Sequence, residues 1–147
     1  MSAKSISHLP CIVGLLLLLS GCSTFERDWE AAASTPADPV LGRWEGTWLS
    51  AVNGHKGGLR CLISKDEQGK TQARYRATYA CCFSFEYTVE MHVRAEGTVH
   101  HFEGLADLGW LAGGEYHYEG KITPAGSEST YSSESDNGTF RMDRPRR

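Results

Sequence analysis

The residues from Phe83 to Arg94 alternate strictly between apolar and polar side chains, and this pattern constrains the fold more than any other feature of the chain. One parity carries Phe83, Phe85, Tyr87, Val89, Met91 and Val93, and the other carries Ser84, Glu86, Thr88, Glu90, His92 and Arg94. Such alternation is typical of a β-strand with one face in a core and the other in water. The segment is therefore predicted to be a half-buried strand.

Residues 40–147 contain further short apolar runs of the same kind. Fourteen of the 16 glycines fall here, between aromatic and β-branched runs that recur roughly every 8 to 12 residues. The predicted strands are Arg43–Ala51, Leu59–Lys65, Lys70–Tyr79, Phe83–Ala95, Thr98–Ala106, Glu115–Thr123, Ser127–Ser133 and Thr139–Asp143. Their short connections favour an all-β fold, a single up-and-down antiparallel barrel of about eight strands, because closure leaves no exposed edge.

The tripeptide Gly42-Arg43-Trp44 opens the first predicted strand. A Gly-x-Trp at this place in an eight-stranded barrel resembles the lipocalin pattern, and the calycin-like layout is also similar to avidin-like barrels and to small periplasmic lysozyme-inhibitor lipoproteins. In lipocalins an arginine of the last strand packs across that tryptophan at the closed end. The resemblance therefore implies a cation–π contact between Trp44 and either Arg141 or Arg144. It concerns barrel architecture, since the central lipocalin motifs are missing.

The N-terminus has the order of a secretory signal peptide, with Lys4 before an apolar run over residues 12–19 and small residues after it. That run is much shorter than the roughly 20 residues of a membrane-spanning helix. The sequence Leu19-Ser20-Gly21-Cys22 resembles the lipobox of bacterial lipoproteins, an aliphatic residue and two small ones before a cysteine.

This resemblance implies a lipoprotein signal peptide over residues 1–21 and a mature chain that begins at Cys22. The Cys22 thiol would carry diacylglycerol and its amino group a further acyl chain such as palmitate, and three chains exceed what stable membrane anchoring needs. Ser23-Thr24 lacks the aspartate that retains lipoproteins in the inner membrane of enteric bacteria. The expected location is the cell envelope, at the outer membrane and facing the periplasm.

Residues 22–39 are polar and rich in alanine, with Ser34-Thr35-Pro36 and Asp38-Pro39 as breakers of regular structure. Apart from a short helical turn over Phe25 to Ala33, the segment has no long periodic face to bury. It is interpreted as a lipidated tether that holds the barrel domain, residues 40–147, away from the membrane. The mature chain has 14 basic and 18 acidic residues. No basic patch indicates a nucleic-acid partner.

Three cysteines lie in the domain, where an oxidising compartment favours pairing. Adjacent strand residues point to opposite faces, so Cys81 and Cys82 cannot both meet Cys61. Cys61 and Cys81 share the inward parity of their neighbours, which predicts a Cys61–Cys81 disulfide. The alternative is that all three thiols are unpaired and that the inward two act as small apolar side chains.

Catalytic and metal-binding patterns are not apparent. Strand parity turns His92 and His117 outward and separates His100 from His101, whereas a zinc site needs three or four converging ligands. The sequence shows no nucleophile elbow and no glycine-rich phosphate loop before a helix. We therefore expect neither a metal site, nor a cofactor, nor an enzyme.

The connection between the fifth and sixth predicted strands carries Leu108, Trp110 and Leu111, where polar turn residues are usual. The segment is interpreted as a plug that folds back over one end of the barrel, because Gly104, Gly109, Gly113 and Gly114 allow sharp turns. The alternative is a lip that admits an apolar ligand or docks a partner.

The sequence favours two functions. The inward aromatic residues favour a filled core, which places a structural or interaction module with an envelope-protein partner first. The alternative is a barrel that binds a small apolar or amphiphilic molecule, since eight strands leave room either for side chains or for one small ligand. A periplasmic enzyme inhibitor or an enzyme ranks third.

Overall fold

The computed structural model describes residues 24–80 and 82–146. It has one helix, α1 (Thr24–Ala31), and two 3₁₀ turns at Ala32–Ser34 and Trp110–Ala112. The strands are β1 (Gly42–Ser50), β2 (Lys56–Lys65), β3 (Thr71–Tyr79), β4 (Phe83–Glu96), β5 (Val99–Asp107), β6 (Glu115–Thr123), β7 (Gly126–Ser132) and β8 (Asn137–Asp143). Each strand pairs antiparallel with the next and β8 pairs with β1, so the sheet closes. The predicted up-and-down barrel of eight strands is confirmed.

The barrel core is built by inward side chains from all eight strands. Each strand contributes at least one side chain that is no more than 5% exposed: Trp44, Cys61, Tyr75, Val89, Phe102, Tyr118, Tyr131 and Phe140. In β4 the alternation predicts the burial of Val89 and Met91 correctly, but Phe83 is 68% exposed. Phe83 is the first residue of its strand and lies at the rim, where no opposite wall covers an inward side chain.

One end of the barrel, here called the closed end, lies where β1 begins and β8 ends. The indole Nε1 of Trp44 donates a hydrogen bond of 2.9 Å to the carbonyl oxygen of Val40. The guanidinium carbon of Arg144 lies 3.9 Å from the centroid of the Trp44 ring, and the same group donates to the carbonyl oxygens of Leu41 and Asp38. Of the two candidate arginines, Arg144 covers Trp44, while Arg141 is exposed on β8.

Helix α1 packs against the outer wall of the barrel, which corrects the interpretation of residues 22–39 as a spacer. Phe25 is fully buried and Trp29 is 4% exposed. Both rings lie beneath arginines that project outward from β1, β2 and β3, namely Arg43, Arg60, Arg74 and Arg76. Two apolar residues at i and i+4 are enough to seat this helix because cations, and not aliphatic side chains, cover the rings.

Ion pairs fix the position of the helix on the wall. Glu26 pairs with Arg60 at 3.1 Å and also with Arg76, and Asp28 pairs with Arg74 at 2.9 Å. Among the described residues, no helix is long and apolar enough to cross a membrane. The lipobox and Cys22 lie outside the described residues, so the predicted lipid anchor stays a prediction.

Candidate ligand cavity at the open end of the barrel

The other end of the barrel, here called the open end, contains a cavity of about 310 Å³. It lies below the hairpins that join β1 to β2, β3 to β4, β5 to β6 and β7 to β8. Its lining is Trp48, Ala77, Tyr79, Phe83, Ser84, Phe85, Tyr87, Leu108, Ala112, Tyr116, Tyr118, Tyr131, Asp136 and Phe140. A mainly apolar wall with a few polar groups is the usual composition of a small-molecule site.

Aromatic rings form most of the wall and contact one another around it. The ring centroids of Tyr131 and Phe140 lie 5.0 Å apart, and those of Tyr116 and Tyr131 lie 6.1 Å apart. Trp48 is paired with Phe140 across β1 and β8, and the rings of Trp48 and Tyr79 lie 6.2 Å apart. These distances lie within the range of attractive ring pairs, so neighbouring rings hold the wall in place without a ligand.

The floor of the cavity is a stack of tyrosines in the middle of the barrel. Tyr75 lies 5.3 Å from Tyr87 and 6.0 Å from Tyr118, measured between ring centroids. Burial raises the pKa of the Tyr75 and Tyr87 phenols well above the usual value, and burial likewise raises that of Tyr118. The hydroxyls therefore stay neutral, and those of Tyr87 and Tyr118 are hydrogen-bonded to each other.

Asp136 is the one charged residue among those that line the cavity. The Ser50 hydroxyl donates to its Oδ1 at 2.6 Å, and the Tyr131 hydroxyl donates to its Oδ2 at 3.1 Å. The Ser133 hydroxyl accepts a hydrogen bond from the Asp136 backbone N–H, which fixes the turn before β8. Through these bonds the carboxylate joins the β1–β2 hairpin to the β7–β8 hairpin.

The connection between β5 and β6 forms a lip beside the cavity, and the interpretation of its apolar residues as a plug is wrong. The loop closes on itself, because Leu108 N–H donates to the Gly114 carbonyl oxygen and Gly114 N–H donates to that of Gly109. Of the three large apolar residues in the loop, only Leu108 turns toward the cavity. Trp110 is 86% exposed and Leu111 is 82% exposed, since the 3₁₀ turn that carries them points away from the barrel.

Cys61, one half of the predicted Cys61–Cys81 disulfide, is a free thiol in the core. It lies on β2 opposite Tyr75, and burial raises the pKa of its thiol well above the usual value. Tyr79, the last residue of β3, is four residues or about 13 Å farther along the strand than Tyr75. Cys81 itself lies outside the described residues.

One histidine, His55, lies at the rim of the cavity, where its ring centroid is 5.1 Å from that of Tyr79. His101 faces Glu96 at 3.4 Å and His117 faces Glu115 at 3.2 Å, both on the outer surface. In the part of the chain that the structure describes, no three His, Cys, Asp or Glu side chains are grouped to hold a metal ion. The cavity therefore offers hydrogen bonds, aromatic faces and one carboxylate.

A larger depression of about 650 Å³ lies outside the barrel, between α1 and the ends of β1, β2 and β8. Four of its charged side chains are already engaged, since Glu26 pairs with Arg60 and Arg76, and Arg144 donates to backbone carbonyl oxygens. It is a groove between packed elements of the chain. The smaller cavity is the better candidate because its aromatic wall is open to a ligand.

The positions of Asp136 and Trp48 in the cavity wall were not predicted, although the sequence carries a signal for each of them. Gly138, Phe140 and Met142 share the inward parity of β8, and Asp136 continues that parity by one step. The second signal is Gly57, where a Cβ atom would lie 1.7 Å from the Thr78 carbonyl oxygen and 2.7 Å from the Trp48 indole nitrogen. The missing side chain lets Trp48 lie across β2 and donate to Thr78 at 3.1 Å.

The sequence matches no protein-family model, and neither a curated protein nor a solved structure matches the chain. The function is therefore inferred from the geometry of the cavity.

Proposed function

We propose that the barrel binds a small amphiphilic molecule in the cavity at its open end, and that a lipid on Cys22 holds it in the bacterial cell envelope. The supporting observation is the cavity of about 310 Å³ with a wall of aromatic rings and one carboxylate. That volume is at the lower end of the range for small-molecule sites. A ligand of this kind would place flat apolar groups against the rings and a polar group toward Asp136.

The division of the aromatic residues along the barrel favours ligand binding over a fully packed module. The lower rings, such as Trp44, Tyr75 and Phe102, are at most 4% exposed and fill the interior. The upper rings surround empty space, and Tyr79 and Phe85 are 45% and 47% exposed. An apolar ligand that covers such half-exposed rings removes apolar surface from water, which favours binding.

A neutral fluorescent probe tests this proposal. The full chain carrying Cys22→Ala is titrated with N-phenyl-1-naphthylamine, so that no acyl chain of the protein itself competes for the cavity. We expect saturable fluorescence enhancement. Ala112→Trp should abolish it, because Ala112 lines the cavity and a larger side chain fills the mouth.

The matched control is Ala125→Trp, at an exposed turn between β6 and β7 on the closed end. This variant adds the same indole away from the cavity and should bind the probe as the parent does. If the Ala112→Trp protein bound the probe with unchanged affinity, the open-end cavity would not be the binding site.

Metabolic labelling tests the anchor. Cells that express the chain should incorporate labelled palmitate into it, and Cys22→Ala should remove the label because only this thiol can take the diacylglycerol. Fractionation of the same cells should then move the protein from the membrane pellet to the soluble periplasmic fraction. Label that persisted in the variant would contradict the lipobox assignment.

The exposed lip supports a second candidate, an interaction module of the envelope. Trp110 and Leu111 together leave two large apolar side chains in water at one turn, and solvent-exposed apolar clusters mark contact surfaces. Replacing both with serine separates the candidates. A ligand-binding barrel should keep its probe affinity in this variant, whereas a module that docks through the lip should lose its partner.

A further inference from the structure

The negative charge at the cavity is not balanced by the protein. Among the described residues, no Lys, Arg or His side chain forms an ion pair with Asp136, and no cationic side chain lines the cavity. The two side chains that donate to its oxygens, Ser50 and Tyr131, are neutral hydroxyls. Ser50 is only 2% exposed, so one side of the carboxylate is shielded from water.

Aromatic side chains lie next to this carboxylate in the cavity wall. The Tyr131 hydroxyl is bonded to it, and the Tyr131 ring is in contact with the rings of Tyr116 and Phe140. Aromatic faces carry a negative quadrupole and attract cations within about 6 Å of the ring centroid. A carboxylate next to such rings adds a full negative charge to the negative potential of their faces, in addition to joining the two hairpins.

We propose that the ligand of this cavity is a small organic cation, an amine or quaternary ammonium group on an apolar body. Its charged head would lie against Asp136 and the rings of Tyr116 and Tyr131, and its apolar part would lie toward Trp48 and Leu108. This inference rests on the proposed function and adds the charge of the ligand to it.

Two probes of the same shape test the charge. Benzyltrimethylammonium and neopentylbenzene differ in one atom, a quaternary nitrogen against a quaternary carbon, so shape and aromatic contacts are matched. Each is used to displace N-phenyl-1-naphthylamine from the full chain carrying Cys22→Ala. We expect the cation to bind about tenfold more tightly than its neutral isostere, as expected for a cation–π and carboxylate site.

Variants then test which residues cause the preference for the cation. Asp136→Asn removes the charge and keeps one of the two hydrogen-bond acceptors. It should lower the affinity for the cation more than that for neopentylbenzene and so reduce the preference. Tyr116→Leu should reduce the preference, whereas Tyr116→Phe, which keeps the ring, should retain it. The Tyr116 pair gives an answer even if Asp136→Asn weakens the fold.

The outcomes separate this inference from the proposed function. Equal affinity for the two probes in the parent, or an unchanged preference in Asp136→Asn, would overturn the cation inference while ligand binding stands. Failure of both probes to displace the dye would also overturn the inference. Failure of the dye itself to bind would remove the proposed function as well.

Discussion

The two ends of this barrel use the same residue types in opposite ways. At the closed end a tryptophan, Trp44, is 2% exposed and is covered by the Arg144 cation. At the open end a tryptophan, Trp48, is partly exposed in the cavity that Asp136 also lines, and no Lys or Arg of the described part of the chain covers the cavity rings. The closed end thus supplies its own cation to an aromatic face, and at the open end we propose that a ligand supplies it.

The difference follows from where the chain crosses the barrel axis. At the closed end the segment before β1 runs across the opening, and Asp38 binds the backbone N–H groups of Leu41 and Val40 through Oδ1. These two bonds lower the pKa of the Asp38 carboxyl and fix the turn of the crossing segment, which Arg144 ties to the end of the barrel. At the open end the hairpins turn at the rim, and none of the described segments crosses.

The largest loss of stability is expected for a substitution of Trp44, at the closed end. Trp44→Ala should lower the free energy of unfolding by about 3–5 kcal/mol, because a buried aromatic side chain and its closed-end contacts are lost. Denaturant unfolding followed by circular dichroism measures this. A loss of less than 1 kcal/mol would show that the closed end does not stabilise the barrel.

Arg144 should give the next largest effect. Arg144→Ala removes a cation–π contact and the hydrogen bonds to the Leu41, Arg43 and Asp38 carbonyl oxygens. We expect a loss of about 1–2 kcal/mol, less than for a buried group because the side chain is partly solvated. Arg141→Ala, at the exposed position three residues earlier, is the matched control and should change stability by less than about 0.5 kcal/mol.

Substitution of Trp48, at the open end, should weaken ligand binding more than it weakens the fold. Trp48→Ala should lower the free energy of unfolding by only about 1 kcal/mol, since the ring is partly exposed and loses one hydrogen bond to Thr78. Its probe affinity should fall about three- to tenfold, the size of one aromatic contact. Trp48→Phe should recover part of the affinity. Should Trp48→Ala destabilise the barrel as much as Trp44→Ala, the two ends would be equivalent in packing.

Sequence patterns predicted the strands well because alternation is a local property. The strand predicted at Phe83–Ala95 is observed as Phe83–Glu96. Parity states which side of the wall a residue occupies, but not how far along the barrel axis it lies. Phe83, Phe85 and Val89 therefore look alike in the sequence, although only Val89 is fully covered.

The features that the sequence did not predict depend on distant contacts. Phe25 and Trp29 are buried by arginines from three strands, and the outward parity of those arginines does not indicate what they cover. Asp136 reaches Ser50, 86 residues earlier, through ring closure of the barrel. No local pattern encodes either pairing, because each requires the register of the closed sheet.

The smallest loss of stability is expected at the lip. A substitution there removes exposed apolar surface but no packed side chain. A variant with Trp110→Ser and Leu111→Ser should melt within a few degrees of the parent, with a stability change of less than about 0.5 kcal/mol, because exposed side chains bury little area to lose. Leu108→Ser is the matched control within the same loop. Leu108 packs against the core and lines the cavity, so its loss should cost about 1–3 kcal/mol and weaken probe binding. Differential scanning calorimetry and dye titration on both variants measure the contrast. If the double variant unfolded as readily as Leu108→Ser, the lip would cover the barrel in solution, and the open end would be closed like the other.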